Sequence, residues 1–423
     1  AADHHRVRVA LPHLHEHGWE PTVICVQEEF VEAQQDDILL KTIPGDVDIR
    51  RVSAWDPRKT RKFKLGSLSI RSYGSINRQA AELLKTGKFD LVYFSTTEFG
   101  VLTLGPKWKR KFGVPYVVDL QDPWVNDYYK INGLRPPGGK LKHSLTQAFA
   151  KRAELKTLKQ AAHMTVVSDG YTKSLTSKYS ELTEDRFTTL PFAFSLGDFD
   201  VLHKAKVEQQ IFNNQDGLQH WAYVGRCGPD MQHSLRSLLT AFRNWVRESD
   251  DKPAVRMHFI GTDYAPKGME RYWVKPIAEE LGIVEYVDER PLRIGYFEAL
   301  RCLIDADALI VPGSEDPSYT ASKIYPYLAA GKPLLTVFHE NSSVNTVLHE
   351  TGGGVGITFG SSESVDATSQ KIQEHWFNCS AFKSTPQVDA EAFRPYGAES
   401  MTQTLASVFN NAIAADAKTV SAT

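Results

Sequence analysis

Short apolar runs rich in β-branched residues alternate with longer helical patterns along the whole chain. This alternation predicts parallel β-sheets whose strands are joined by right-handed crossovers. The first half contains five such runs: Thr22 to Val26, Ile49 to Val52, Leu91 to Phe94, Tyr116 to Asp119 and Met164 to Val167. The second half contains six: Trp221 to Val224, Arg256 to Ile260, Val284 to Val287, Ala308 to Val311, Leu334 to Phe338 and Val355 to Thr358.

Two series of strands predict two domains, because 423 residues exceed what one hydrophobic core usually supports. We expect an α/β chain with a Rossmann-like, doubly wound domain at 1–196, a polar linker at 197–217, a second such domain at 218–389 and a helical segment at 390–423. Ligands of these sheets bind beyond the carboxyl ends of the strands, so we expect the two domains to face a cleft. The chain enters a helical pattern soon after Ala1, and we expect the first strand of the fold to precede it.

Composition narrows the class of protein. Hydrophobic residues at 42% and charged residues at 24% fit a globular enzyme, and no apolar run approaches the roughly 20 residues that span a bilayer. The formal charge of −2 provides no field that attracts nucleic acid. Because no run spans a bilayer, we expect any membrane contact to be peripheral. The four cysteines lie far apart without zinc-ligand spacing, which favours a reduced cytoplasm: Cys25, Cys227, Cys302 and Cys379.

Four segments, spread over nearly the whole chain, carry a resemblance. The first runs from Arg6 to Val23, a helix followed by HGWEPTV. The second is PYVVDLQDPW at 115–124, and the third is WAYVGR at 221–226. The fourth, and the most specific, is ALIVP at 308–312 followed by SKIYPYLAAGKP at 322–333.

Together these segments resemble the GT-B glycosyltransferases and, within them, the retaining glycosyltransferase family four. The resemblance implies the GT-B fold, transfer of a sugar from a nucleotide-diphosphate sugar with retention, and neither metal nor further cofactor. UDP and GDP sugars are the expected donors. The chain departs from the family pattern at Gln121, where arginine is usual, and at Ser318 and Pro326, where most members carry two glutamates.

Negative charge builds on the diphosphate during glycosyl transfer, so the donor site needs positive charge. Gly225 and Arg226 follow the first strand of the second domain, and a guanidinium meets phosphate oxygens through two parallel hydrogen bonds. A predicted helix begins at Ser322, Lys323 and Ile324, where free N–H groups favour an anion. The plainer interpretations are a surface arginine, an N-cap serine and a solvated lysine.

The resemblance implies further donor contacts. It assigns Arg290 and Ile294 to a loop that binds the nucleotide base through its main chain. Glu315 and Asp316 lie just before the donor helix, where they are candidates to hold sugar hydroxyls in place of the missing glutamate. A polar turn is the alternative interpretation of this pair.

Acceptor chemistry falls in the first domain. Asp119 and Asp122 end a strand and are expected to point into the cleft, where a carboxylate positions or deprotonates an acceptor hydroxyl. Asp122 matches the aspartate of the family's Asp-Pro-Trp, and a turn or cap before Pro123 is its alternative. Trp124 is either a platform for the acceptor sugar or a packing residue. The candidate catalytic set is thus Asp119, Asp122, Arg226 and Lys323.

Other signals are set aside. Asp305 and Asp307 precede a strand, unlike the metal-binding Asp-x-Asp of another glycosyltransferase fold, and the glycines at 352–356 also precede a strand, unlike a dinucleotide-binding loop. Two basic stretches are candidates for contact with anionic lipid or are simply solvated: Arg58, Lys59, Arg61, Lys62 and Lys64, and Lys107, Lys109, Arg110 and Lys111 with Trp108.

The sequence therefore predicts a metal-independent hexosyltransferase of polysaccharide, lipopolysaccharide or similar glycan synthesis, in the cytoplasm or at the inner face of the membrane. The acceptor is a glycan, a lipid-linked sugar or a small molecule. Two alternatives stay open: a nucleotide-sugar epimerase of GT-B fold, and a nucleotide-sugar-binding protein without catalytic activity.

Overall fold

The chain divides into two compact units in a computed structural model that describes residues 2–32, 36–60, 66–125, 140–265, 268–317 and 322–421. The first unit comprises residues 1–37, 43–193 and 398–423, and the second comprises 38–42 and 194–397. Each unit has its own parallel sheet or sheets. The predicted α/β fold class is therefore confirmed.

The first unit has two parallel sheets. Strands β1 (Thr22–Val26) and β2 (Asp48–Val52) form one of them. The other has the order β3-β4-β5-β6, with β3 at Val92–Ser95, β4 at Tyr116–Leu120, β5 at His163–Val166 and β6 at Phe187–Thr189. Its described helices are Ala2–Leu14, Pro57–Thr60, Leu68–Leu84, Gly105–Phe112, Lys140–Gln160, Asp169–Lys178 and Ala398–Ser421. The sequence did not predict β6, since three residues with two threonines give no apolar run.

The C-terminal helix Ala398–Ser421 belongs to the first unit. Its apolar side chains pack with those of the helix Ala2–Leu14 and with Val117 on β4 in one cluster of buried residues. Phe409 makes edge contacts with the rings of Trp19 and Tyr93 at 5.1 and 5.0 Å between centroids. The end of the chain therefore completes the core of the unit with which the chain begins.

The second unit is one six-stranded parallel sheet in the order β12-β11-β10-β7-β8-β9. These strands are β7 (Gln219–Val224), β8 (Val255–Ile260), β9 (Val287–Arg290), β10 (Ala308–Pro312), β11 (Leu334–His339) and β12 (Val355–Phe359). Counted within the unit, this is the Rossmann order 3-2-1-4-5-6. Strand order reverses between β7 and β10, and this switch point is where ligands of such sheets bind.

Helices cover the six-stranded sheet, and its strands β10 and β11 are almost wholly apolar. Every residue of β10 and β11 is buried. The described helices of the unit are Leu196–Lys204, Gln232–Glu248, Lys275–Leu281, Tyr296–Asp305, Ile324–Ala329, Ser343–Thr351, Val365–Ile372 and Ala390–Phe393. Trp221 on β7 is fully buried among the rings of Phe242, Trp245 and Phe377.

Two boundaries differ from those that the sequence predicted. The predicted linker at 197–217 begins as the helix Leu196–Lys204, whose Leu202 is fully buried and whose Asp198 accepts a hydrogen bond from Tyr296 at 2.7 Å. The strand predicted at Val284 to Val287 starts three residues later, because 284–286 form a single 3₁₀ turn before β9.

Candidate functional site

The site forms at the switch point of the second unit, where β7 and β10 end. Strand β7 ends at Val224 and is followed by Gly225 and Arg226. Strand β10 ends at Pro312 and is followed by Gly313 and Ser314. The two backbones are held close, because the amide of Glu315 donates to the carbonyl of Asp230 at 2.7 Å. Parallel strands that diverge at this edge open the crevice in which doubly wound sheets bind their ligands.

Arg226 is fixed by a bidentate ion pair with Asp230. Its Nη1 and Nη2 lie 2.9 and 2.8 Å from the two carboxylate oxygens of Asp230, and Ser314 donates its hydroxyl to Asp230 at 2.7 Å. The hydrogen bonds from Arg226, and next that from Ser314, hold the pKa of Asp230 below its usual value against the effect of burial. The carboxylate therefore stays ionised and fixes the plane of the guanidinium.

Lys323 lies beneath Gly225 and touches the aromatic ring of Tyr223. Its Nζ donates to the Tyr223 hydroxyl at 2.6 Å and lies 4.7 Å from the centre of the ring. The phenol in turn donates to the carbonyl of Arg226 at 2.6 Å. The pKa of Lys323 is lowered to about 8, chiefly by burial and in part by the nearby guanidinium groups of Arg226 and Arg293.

Two cations, Arg226 and Lys323, thus meet through the Tyr223 hydroxyl, and a third, Arg293, is near enough for its charge to act on Lys323. Arg226 follows β7, Arg293 follows β9, and Lys323 precedes the helix Ile324–Ala329. The effect of both arginines on the pKa of Lys323 is repulsion between like charges, which disfavours the protonated amine. Asp230 opposes this repulsion in part. An arrangement that concentrates repelling cations at a ligand-binding edge is suited to an anion such as a diphosphate.

Gly225 leaves room for this arrangement. A Cβ atom at position 225 would lie 2.5 Å from Lys323 Nζ and 3.0 Å from the Tyr223 hydroxyl, both too close for a normal contact. The glycine predicted from the sequence as part of the donor site is therefore required by the position of the lysine.

The helix predicted to begin at Ser322 begins later. Ser322 and Lys323 form a turn, and the helix runs from Ile324 to Ala329. Tyr327 fixes this helix to β7, because its hydroxyl accepts from the Val224 amide at 2.6 Å and donates to the Val224 carbonyl at 3.1 Å. Lys323 therefore reaches this edge of the sheet through its side-chain amine and precedes the helix.

Glu315 contacts a helix N-terminus. Its carboxylate accepts the amide of His233, near the start of the helix Gln232–Glu248, at 3.1 Å. A carboxylate at this position is favoured by the free N–H groups and the helix dipole. Asp316 donates its amide to the Ser314 hydroxyl at 3.1 Å. These contacts agree with the polar-turn alternative, and the assignment of Glu315 and Asp316 to sugar hydroxyls stays a prediction.

The predicted base-binding residues are engaged with the protein. Arg290 is the last residue of β9 and not a loop residue; its carbonyl accepts the Gly261 amide at 2.7 Å. Its guanidinium donates to Asp288 at 3.0 Å and to the Ile211 carbonyl at 2.8 Å. Ile294 packs against a small apolar cluster that includes Ile211. The shift of β9 by three residues accounts for this difference from the prediction.

Asp119 in the first unit lies inside the protein, whereas the sequence predicted that it points into a cleft. Its side chain is fully buried and forms an ion pair with Arg6 at 2.9 Å. It also accepts from the side chains of Gln121, Ser95 and Thr165 at 2.6, 3.0 and 2.8 Å. A carboxylate with these four partners is a structural group, because proton transfer requires access to a substrate.

Asp122 and Trp124 follow β4 in the same unit. Asp122 is exposed, and its charge contributes, after burial, to raising the pKa of Tyr171 to about 12. Trp124 is half-buried, and its ring stacks on that of Phe99 at 5.6 Å between centroids with an angle of 10°. The stack covers one face of the indole, in agreement with the packing alternative for that face.

Several residues of the two basic stretches are engaged with the protein, which leaves them less free to contact anionic lipid than the sequence suggests. Trp108 is buried and donates its indole N–H to Asn77 at 2.9 Å, while Lys109 pairs with Asp416 at 2.6 Å. Arg58 pairs with Asp56 at 3.1 Å, and Arg61, Lys62 and Lys64 lie outside the described residues. Over the part of the chain that the structure describes, none of the helices combines the length and apolarity needed to cross a membrane.

Sequence reasoning missed several residues of the site. In the sequence, Tyr223 looks like any other buried strand residue, and Asp230 looks like an ordinary turn residue. Arg293 stacks on the ring of Tyr264 at 4.1 Å, across two loops that the sequence does not relate. A basic residue after each of two strands that meet at the same sheet edge was the available signal.

No protein-family model matches the chain, and no curated protein matches its sequence. Among solved structures, Anabaena HepE in complex with UDP and glucose has a TM-score of 0.56 at 14% identity, over 97% of this chain and 96% of that one. A glycosyltransferase from Rickettsia africae gives 0.58 at 13%, over 97% and 94%. A sucrose-phosphate synthase from Thermosynechococcus elongatus gives 0.54 at 11%, over 97% and 93%.

The chain has the GT-B fold. The likeness extends over both units, which a single shared Rossmann-like domain would not produce. At these identities the likeness establishes the fold alone. The chemistry of the site depends on this chain's own Arg226, Lys323, Arg293, Asp230 and Tyr223.

Proposed function

We propose that the chain is a glycosyltransferase that takes its sugar from a UDP sugar. The observation that carries the proposal is that Arg226 and Lys323 meet at the switch point of the second unit, where the Tyr223 hydroxyl bonds both the Lys323 amine and the Arg226 carbonyl. Of the solved proteins with the same fold, HepE was crystallised with UDP, with UDP-glucose, and with UDP and glucose. Those complexes support a uridine nucleotide over the guanosine alternative.

Each cation has its own part in the proposed reaction. Arg226, held in plane by Asp230, donates two parallel hydrogen bonds to the diphosphate. Lys323 places a point charge next to the phosphoryl oxygens, and its protonated form is favoured once an anion is bound. As the bond between the sugar and the diphosphate breaks, both groups stabilise the negative charge on the leaving group. Retention at the sugar carbon is proposed from the resemblance of four segments to retaining enzymes.

The acceptor side of the proposal rests on the first unit. We assign Asp122 to the acceptor hydroxyl, because its carboxylate is exposed just beyond the end of β4, and Trp124 to the acceptor sugar. Asp119 is not part of this proposal, since its carboxylate is buried in an ion pair. The acceptor is a glycan or a lipid-linked sugar.

Nucleotide release tests the proposal. The full chain is incubated with UDP, GDP, ADP and dTDP sugars, with and without a crude glycan-lipid extract, and free nucleotide is measured. Release of UDP that depends on the extract supports transfer. Release of UDP without an acceptor identifies an epimerase or a hydrolase, and binding without release identifies a non-catalytic protein; both results overturn the proposal.

A further inference from the structure

The guanidinium of Arg293 lies over the ring of Tyr264. Its central carbon is 4.1 Å from the centre of the ring, close enough for the negative face of the ring to attract the cation. Tyr264 is in the loop after β8 and Arg293 in the loop after β9, so the contact joins two loops at the carboxyl edge of the six-stranded sheet. Both side chains are exposed, with 65% of Tyr264 accessible to solvent. The contact is therefore not part of the hydrophobic core.

Backbone hydrogen bonds tie the two loops to each other. The Gly261 amide donates to the Arg290 carbonyl at 2.7 Å, and the Asp263 amide donates to the Pro291 carbonyl at 3.1 Å. The carboxylate of Asp263 accepts the amide of Tyr264 at 2.8 Å. The backbone that carries the ring is therefore fixed relative to the segment that leads to the arginine.

A short series of contacts connects Arg293 to the loop of Arg226. A Cβ atom at Gly261 would meet Cγ and Cα of Arg293 at 3.6 and 3.7 Å, so the arginine packs against the residue that follows β8. The next residue, Thr262, accepts the amide of Cys227 on its carbonyl at 2.8 Å, and Cys227 directly follows Arg226. Arg293 therefore lies beside the loop that carries the proposed diphosphate ligand.

Tyr264 orients Arg293 without neutralising its charge. Over the residues that the structure describes, no Asp or Glu side chain pairs with Arg293, whereas Arg226 is paired with Asp230. The charge of Arg293 acts on Lys323, whose pKa is lowered to about 8 by burial first and then by the two arginines. An exposed arginine otherwise loses rotamer freedom when it binds a ligand, and a stack that orders it beforehand reduces this loss.

We propose that Tyr264 is a positioning residue for UDP binding, because its ring holds the guanidinium of Arg293 in place for the diphosphate. This inference rests on the proposed function, in which the diphosphate binds beside Arg226 and Lys323. A ring that stacked on the uracil base would instead contact the nucleotide directly and would need no arginine. The guanidinium already occupies one face of the ring, which favours the arginine as its partner.

Titration calorimetry of the full chain with UDP tests the proposal. Tyr264→Ala should bind UDP about two- to fivefold more weakly, the range for the loss of an exposed contact between a cation and a ring. Tyr264→Phe keeps the ring and should bind like the unmodified chain. The matched control Tyr272→Ala removes another exposed tyrosine of the second unit, whose ring lies 5.5 Å from Lys275 Nζ, and should leave the affinity unchanged.

A double-mutant cycle shows whether the ring acts through the arginine. Arg293→Ala should bind UDP about tenfold more weakly, and adding Tyr264→Ala to it should have no further effect. Since both side chains are exposed, the midpoint of thermal unfolding should stay the same in all variants.

Three results overturn the positioning role while UDP still binds to the unmodified chain. They are equal affinities of Tyr264→Ala and the unmodified chain, a weakened Tyr264→Phe, and a loss in Tyr264→Ala that persists in full without the arginine. The last result would identify direct contact between the ring and the nucleotide. If the unmodified chain does not bind UDP, the proposed function is overturned together with this inference.

Discussion

Lys323 and Tyr223 are joined by a 2.6 Å hydrogen bond in which the amine donates to the phenol, and the phenol donates onward to the carbonyl of Arg226. This chain of bonds connects the side chain of one predicted donor residue to the backbone of another. It fixes the amine at the end of β7, within the field of two guanidinium groups. The charge on the amine is therefore sensitive both to pH and to a bound anion.

UDP affinity should fall as pH rises through about 8. In the ligand-free protein Lys323 loses its proton near this pH, well below the ordinary lysine value of 10.5, so the diphosphate loses one cation. Isothermal titration calorimetry with UDP at a series of pH values measures the effect. The variant Lys323→Met should bind more weakly at neutral pH and lose the pH dependence, and an unchanged pH profile in that variant would exclude the lysine.

The same lysine should affect the stability of the ligand-free protein in the opposite direction. Between pH 8 and 10.5 the unfolded chain holds the Lys323 proton and the folded chain does not. The contribution of Lys323 to the free energy of unfolding therefore increases as pH rises through that window. Urea unfolding of Lys323→Met alongside the unmodified chain isolates the contribution. A difference between the two proteins that does not vary with pH would contradict the lowered pKa.

Gly225→Ala should weaken nucleotide binding with little loss of stability. The new methyl group would lie 2.5 Å from Lys323 Nζ, the movable end of a long side chain, so the amine is displaced while the fold adapts. We expect UDP binding at least about tenfold weaker, the effect of one lost charge-assisted hydrogen bond. Gly356→Ala, whose Cβ meets no atom closer than 3.5 Å, is the control, and equal affinities for all three proteins would show that the amine does not contact UDP.

Much of the site could be predicted from the sequence, because Gly225 and Arg226 follow a clear apolar run that ends at a sheet edge. The cation cluster as a whole could not. Arg293 reaches it from β9, whose start was misplaced by a 3₁₀ turn at 284–286, and Tyr223 is indistinguishable in sequence from other buried strand residues. Strand order decides which loops are neighbours and so which side chains meet. The hydrophobic pattern of a single segment does not reveal strand order.

Asp119→Asn should destabilise the first unit without affecting UDP binding. Removing the charge leaves Arg6 buried without its ion-pair partner, which costs about 3–5 kcal/mol. The control Asp48→Asn breaks the exposed pair with Arg50 and should cost less than about 1 kcal/mol. Thermal unfolding compares the two variants. If Asp119→Asn keeps full stability but loses turnover, this account is contradicted, and Asp119 is catalytic as the sequence predicted.

The strand pattern also predicted most of the fold, since all eleven predicted runs overlap strands of the structure. Ten do so over most of their length, and the run at 284–287 shares only Val287 with β9. The assignment of residues 390–423 was less informative. A helical pattern at the end of a chain predicts a helix, but only packing with Val9 and Leu11 of the first helix shows which unit that helix completes. Contacts between the two ends of the sequence leave no local signal.

Two glycines of the first unit should respond to alanine in opposite ways. Gly74 lies inside the helix Leu68–Leu84, and a Cβ there meets nothing within 4 Å, so Gly74→Ala should stabilise the unit by about 0.5–1 kcal/mol. Gly87 has the same open space but a φ of +67°, so Gly87→Ala should destabilise it by about 1–2 kcal/mol. Urea unfolding gives both values, and shifts of the same sign would contradict the described backbone.

The affinity of the chain for UDP, with and without the Arg226 side chain, tests the central claim most directly. Arg301 is the matched control, because it also pairs with an aspartate four residues later in the second unit but lies away from the switch point. By titration calorimetry at neutral pH, Arg226→Ala should bind UDP about ten- to a hundredfold more weakly, and Arg301→Ala should bind like the unmodified chain. UDP binding that is unchanged in Arg226→Ala would contradict the assignment of the diphosphate to this site.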